Sequence, residues 1–126
     1  VRFPHLPLFH IYTNPSLAGK DRTGVLAAVI LSLAGVPADI IAYDYALSRI
    51  GIEPSRELLL QMLKLWNKDW TLETPGMQEF SQVKAEFMLG TLEMMEKKYG
   101  GAEGYARGLG FGDDDLKVIR GVLKGE

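Results

Sequence analysis

Residues 8–24 read Leu-Phe-His-Ile-Tyr-Thr-Asn-Pro-Ser-Leu-Ala-Gly-Lys-Asp-Arg-Thr-Gly, and the reading of this stretch decides the fold. Leu8 to Tyr12 is a short, mostly apolar run rich in strand formers, so it predicts one buried β-strand. Thr13-Asn14-Pro15-Ser16 ends the strand with turn chemistry. From Asp21 onward the pattern is helical. A loop between a strand and a helix aims backbone amides and the helix's positive end at one spot, which makes an oxyanion site. Gly19 and Gly24 let the backbone turn tightly and approach closely. Arg22 can fork two hydrogen bonds onto a phosphate, and Lys20 adds a mobile positive charge. The nucleotide pattern G-x-x-x-x-G-K-[ST] does not fit, because no glycine stands five before Gly19 and Asp21 follows the lysine. On spacing alone, an ordinary helix start with Asp21 as its cap accounts for the same residues.

Downstream of the loop, the apolar pattern lays out helices. The first runs from about Arg22 to Ala34 and is apolar on nearly every side (Val25, Leu26, Ala27, Ala28, Val29, Ile30, Leu31, Leu33), as a surrounded helix is. Gly35 reads as its C′ stop. Pro37 suits the first turn of a second helix to about Arg49, with Ile40, Ile41, Tyr43, Tyr45, Ala46 and Leu47 as its apolar residues. Gly51 breaks that pattern, and Pro54 opens a third helix whose Leu58, Leu59, Met62, Leu63 and Trp66 form one stripe. After a connector over Asn67 to Thr74, Thr74-Pro75 starts a long fourth helix to about Tyr99, with Phe80, Val83, Phe87, Leu92 and Met95 inward. Gly100 and Gly101 end it, and a short helical turn follows over Ala102 to Leu109. Asp113 then caps a last helix, with acids at its positive end and Lys117, Arg120 and Lys124 toward the other. The expected fold class is mostly α, one strand plus about five or six helices, with residues 1–126 forming a single domain or a fragment of one.

The lone strand is the odd part. One strand cannot satisfy its own backbone groups, and a helix apolar all round wants more cover than short helices give. Both features predict a preceding segment that carries the rest of a sheet, or strand exchange between copies in a homo-oligomer. The chain opens Val1-Arg2-Phe3-Pro4 without a Met and reads as a fragment or processed product. Its net charge of −2, with acids and bases mixed, argues against a nucleic-acid surface. No apolar run approaches the ~20 residues of a transmembrane segment. The absence of cysteine removes disulfides, thiolate zinc sites and thiol catalysis, and a disulfide-free chain suits a cytoplasmic location. His5 and His10 are too few for a metal site, and Asp113-Asp114-Asp115 is better read as helix capping than as a calcium loop. No metal or cofactor is therefore expected. Met88, Met94, Met95 and Trp66 read as core or as a partly exposed seam; Trp66 with Trp70 could instead mark a partner or membrane edge.

The run Ala18-Gly19-Lys20-Asp21-Arg22-Thr23-Gly24-Val25-Leu26-Ala27-Ala28, followed by Leu31-Ser32-Leu33-Ala34-Gly35-Val36-Pro37 and Asp44-Tyr45-Ala46-Leu47-Ser48, closely resembles the bacterial and fungal tyrosine/serine phosphatase family. The signature loop of that family reads H-C-x-x-G-K-D-R-T-G. Lys98-Tyr99-Gly100, Tyr105, Leu109-Gly110 and Asp114-Asp115-Leu116 resemble its final helices, so the likeness extends from about Leu8 to the end. It implies the carboxy-terminal part of an α/β phosphatase fold, with Leu8 to Tyr12 feeding the loop beside strands from an amino-terminal half. It also implies phosphoric monoester hydrolysis, and a ligand that is a phosphorylated protein or a phosphoinositide. In loops reading G-K-D-R, the resemblance gives the aspartate and lysine a part in shaping the pocket for phosphoinositides and in proton transfer to the leaving oxygen.

The departure lies at the nucleophile. Counting six back from Arg22 puts Ser16 at the cysteine position and Pro15 at the histidine position. In a second register Phe9-His10 matches the family's Phe-His, which places Ile11 there and lengthens the loop. Neither register supplies a thiol. A loop of amides lowers a thiol's pKa far enough to make a thiolate, whereas a serine hydroxyl stays protonated there and needs an adjacent base. His10 is a candidate base, although a histidine at a strand end more often packs or caps. Three readings stay open. The first is a pseudophosphatase: residues Leu17, Ala18, Gly19, Lys20, Asp21 and Arg22 capture phosphate, Arg22 clamps it, and turnover is absent or severely slowed. The second is an active phosphatase that uses Ser16 or His10, or that another segment completes; the third is an interaction module with a relic loop.

Overall fold

The computed structural model describes residues 20–125. The expected strand at Leu8 to Tyr12 and the loop residues Ser16, Leu17, Ala18 and Gly19 lie outside the described residues. The described residues are mostly helical, as expected, and include no strand. None of their helices is long and apolar enough to cross a membrane.

Helix α1 (Asp21–Leu33) is built from Val, Ala, Leu and Ile and touches α2 (Ala38–Leu47), α6 (Ala85–Tyr99), α7 (Gly101–Gly108) and α8 (Asp113–Lys124). It ends as its sequence predicts. Gly35 takes a φ of 88° and donates to Ser32 C=O, while Val36 N–H reaches back to Leu31 C=O, both at 3.0 Å. That pair of bonds satisfies two carbonyls left over at the helix end, and the left-handed φ suits glycine. Pro37 is the residue just before α2 rather than a member of its first turn.

Gly51 does not break the chain as expected. It sits inside a short α3 (Arg49–Ile52), which runs through a 3-10 turn (Glu53–Ser55) into α4 (Arg56–Lys64). The stripe expected on α4 is only partly covered: Leu59, Met62 and Leu63 are half-buried, while Leu58 and Trp66 are 58% and 67% exposed. The long helix expected from Thr74-Pro75 to Tyr99 is divided into α5 (Met77–Ser81) and α6. Residues 82–84 leave the helical path between them, Lys84 with φ −125° and ψ 141°. Two tertiary contacts win over local propensity here. Val83 is buried in the core, and the Gln82 carbonyl accepts from the Lys20 ammonium at 3.4 Å. Of the residues expected inward on that helix, Val83 and Met95 are buried, Leu92 is half-buried and Phe87 is exposed; the side chain of Phe80 lies outside those described. Met88 is buried with them, and Met94 is exposed.

Two apolar clusters hold the helices. One joins Ala28 of α1, Ile41, Ala42 and Tyr45 of α2, Val83 from the turn before α6, and Met88 of α6. The other joins Leu33, Met95, Ala102, Ala106 and Leu116 near the far end of α1. Between α7 and α8, Asp113 accepts from Arg107 at 2.7 and 3.1 Å, and Glu103 pairs with Arg120. Asp113 is therefore a tie between helices and not the cap expected of it; the Gly112 N–H is capped by Asp115 Oδ2 at 2.9 Å. Helix α1 is less enclosed than its sequence implies, since Leu26 is 60% and Ile30 41% exposed.

Candidate phosphate-binding site

The amino-terminal end of α1 carries Lys20, Asp21 and Arg22, three of the residues expected to hold phosphate. The hydrogen-bond ladder of the helix begins where the Gly24 amide donates to Lys20 C=O at 3.0 Å. The amides that precede this bond lie at the amino-terminal end of the helix, where its partial positive charge is found. An anion is favoured in such a place.

Lys20 is buried, with 6% of its surface exposed. Its ammonium donates to Asp21 Oδ1 at 2.7 Å and to the Gln82 carbonyl at 3.4 Å. Its charge is thus delivered from a fixed place rather than from a mobile stem. Asp21 is not the helix cap that spacing alone allows: Lys20 holds the cap position, and its side chain makes no capping hydrogen bond. The Asp21 carboxylate is engaged instead by Lys20 and by the hydroxyl of Tyr45, which lies 3.4 Å from the same Oδ1. Arg22, one residue into the helix, is exposed.

Tyr45 and Gln82 were not legible as parts of this site. Tyr45 reads as an apolar position of the second helix, and Gln82 reads as one residue of a continuous fourth helix. The only signal for Tyr45 is that Asp44-Tyr45 falls within the phosphatase-like stretches. Burial raises the Tyr45 phenol first, the negative charge of Asp21 adds to this, and their hydrogen bond adds further, so that it is pushed up to about 12.

A roomier groove of about 710 Å³ lies by the other end of α1, between α6 and α7. Glu93, Glu96 and Glu103 line it, with Arg107 as its one cation, so its balance of charge disfavours phosphate. No group of His, Asp or Glu residues placed to hold a metal occurs among the described residues.

The profile of the tyrosine phosphatase family matches residues 15–124. The chain belongs to that family. It is 29% identical over 117 residues to the triple specificity protein phosphatase PtpB of Mycobacterium tuberculosis, a match covering 86% of this chain and 42% of the relative. It is also 29% identical over 107 residues to a tyrosine-protein phosphatase of Nostoc commune, covering 82% of this chain and 35% of that one. The chain therefore spans less than half the length of either relative. No solved structure matches it. The matched range takes in Lys20, Asp21, Arg22 and Gly24 together with Tyr45 and Gln82, so the site lies within the family's own part of the chain.

Proposed function

We propose that this phosphatase-family chain captures a phosphate group on the loop of residues 17–22 without turning it over efficiently. The observation that carries the reading is the complete Gly19-Lys20-Asp21-Arg22-Thr23-Gly24 in a chain with no cysteine. The binding half of the chemistry needs amides, a helix end and a guanidinium. The bond-breaking half needs a nucleophile that the loop can ionise, and neither Ser16 nor Ile11 is one. Arg22 acts as the bidentate clamp, and Lys20, paired with Asp21, fixes the shape of the site beside it. The ligand is a phosphate monoester on a protein or an inositol lipid. A relative named for triple specificity fits a pocket that is not committed to one ester.

The test is thermal unfolding with and without inorganic phosphate, beside Arg22→Ala. A ligand at ~100 times its dissociation constant adds about 2.7 kcal/mol, several degrees in a domain of this size. A shift in the wild type that is lost in Arg22→Ala supports capture. Equal shifts in both, or none in either, overturn it. Ser16 at the cysteine spacing favours a second reading, slow turnover by a serine. Phosphate release from a phenyl phosphate above a no-protein control, abolished in Ser16→Ala, would establish that reading in place of the first.

A further inference from the structure

Tyr45 reaches the loop from α2, across 24 residues of chain. Its ring is closely seated. A Cβ at Gly24 would come within 2.9 Å of its Cδ2 and Cε2, and the Met88 methyl lies 3.7 Å from the same point. Ala28, Ile41, Ala42 and Val83 complete the apolar cluster that the ring joins. We propose that Tyr45 is a positioning residue for the phosphate loop: its ring is seated over Gly24, and its hydroxyl holds the Asp21 carboxylate where Lys20 also engages it. The functional meaning of this clamp rests on the phosphate-capture reading above.

A separation of 3.4 Å is long for O–H···O, whose common value is about 2.7–2.8 Å. The seat of the ring therefore does most of the holding, and the hydroxyl gives it direction. Both donors, the ammonium and the phenol, converge on Oδ1, which ties residues from the loop, α1 and α2 to one atom. Among the described residues, the charged groups at the phenol are Asp21, which raises its pKa, and Lys20, which shares the same Oδ1; Val83 and Met88 contribute only apolar surface. Asp44 precedes Tyr45 on α2 and is exposed. Because the phenol is pushed up to about 12, it remains a neutral donor throughout the ordinary range of pH.

Two measurements on the full chain test the clamp. In the first, inorganic phosphate is titrated calorimetrically into the wild type, Tyr45→Phe, Asp21→Asn and the double variant. Tyr45→Phe keeps the ring and is expected to weaken phosphate binding about two- to threefold, the low end of what one hydrogen bond is worth because the contact is long, with little change in Tm. The loss should vanish in the Asp21→Asn background, as it must if the hydroxyl acts through that carboxylate. Unchanged affinity, or the same loss in both backgrounds, overturns the proposal. The second measurement is the tyrosinate absorbance titration, which involves no phosphate. One of the five tyrosines should ionise late in the wild type, be missing in Tyr45→Phe, and ionise at lower pH in Asp21→Asn. A late phase that Asp21→Asn does not move refutes the contact. A wild type that binds no phosphate but shows the coupled titration refutes capture alone, so the two failures are distinct.

Discussion

Gly24→Ala puts the seat of Tyr45 under direct load. The new methyl would stand 2.9 Å from two ring carbons, where carbon atoms normally settle at about 3.5–4.0 Å. The ring is 7% exposed and cannot swing into water without opening the cluster it shares with Ala28, Ile41 and Met88. Forcing a methyl into packed surroundings costs about 1–3 kcal/mol. Against this, alanine in a helix is favoured over glycine by about 0.5–1 kcal/mol. Gly90 supplies the control, because it is an exposed glycine within α6 whose added Cβ would meet nothing within 4 Å. Gly90→Ala should therefore show the helix gain alone. The two variants should differ by about 1–3 kcal/mol, with Gly24→Ala the less stable, a gap of several degrees in Tm. Urea unfolding with unchanged slope would measure it, and phosphate titration of Gly24→Ala should show weakened binding as the phenol is displaced from Asp21. If Gly24→Ala gained as much stability as Gly90→Ala, the ring would be yielding freely, and its role as a fixed seat would be refuted.

Two further outcomes test the Tyr45 contact and the second apolar cluster. Tyr45 has its phenol raised from 10.0 to about 12 in the folded chain, by burial first and by the charge and hydrogen bond of Asp21 after it. Its contribution to stability is whole below pH 10, where folded and unfolded forms are both protonated. Above pH 10 the unfolded form gives up its proton first, so stability drains away up to about pH 12. Urea midpoints of the wild type should fall relative to Tyr45→Phe across that window, and parallel curves would contradict the shift. In the second cluster, Leu116 is 1% exposed, so Leu116→Ala should cost about 2–5 kcal/mol in urea unfolding; Leu65, 82% exposed, should tolerate alanine to within about 0.5 kcal/mol. Equal costs at the two positions would mean that α8 is not docked as described.

What the sequence made legible was local. The end of α1 could be read because Gly35 and Val36 close it with bonds inside one turn, and such a signal needs no distant partner. The family likeness could be read because Gly19, Lys20, Asp21, Arg22 and Gly24 stand together in one short stretch of sequence. The break between α5 and α6 could not, since the contacts made there are distant ones: Val83 joins the core, and Lys20, 62 residues away, donates to the Gln82 carbonyl. The same limit hid Tyr45, whose apolar neighbours on α2 mark it for a core and say nothing of the carboxylate its hydroxyl would meet. Asp113 was misread for a related reason: an acid at a helix start suits a cap on local grounds, but Arg107 on the preceding helix claims it.

The placement of Lys20 changes how charge in the loop is to be counted. Lys20 and Asp21 stand 2.7 Å apart, so a phosphate several ångströms from both meets opposite charges that nearly cancel. Of the three charged residues in the described part of the loop, Arg22 is the exposed cation, where Lys20 is buried. The lysine and aspartate contribute in a different way. An ammonium held between Asp21 Oδ1 and the Gln82 carbonyl fixes the start of α1 against the turn before α6, and Tyr45 adds the tie to α2. Capture, as proposed, would therefore depend on one guanidinium for attraction and on a buried pair for shape. On the proposed reading, Lys20 and Asp21 then serve less as phosphate ligands than as anchors that join the start of α1 to the body of the helices.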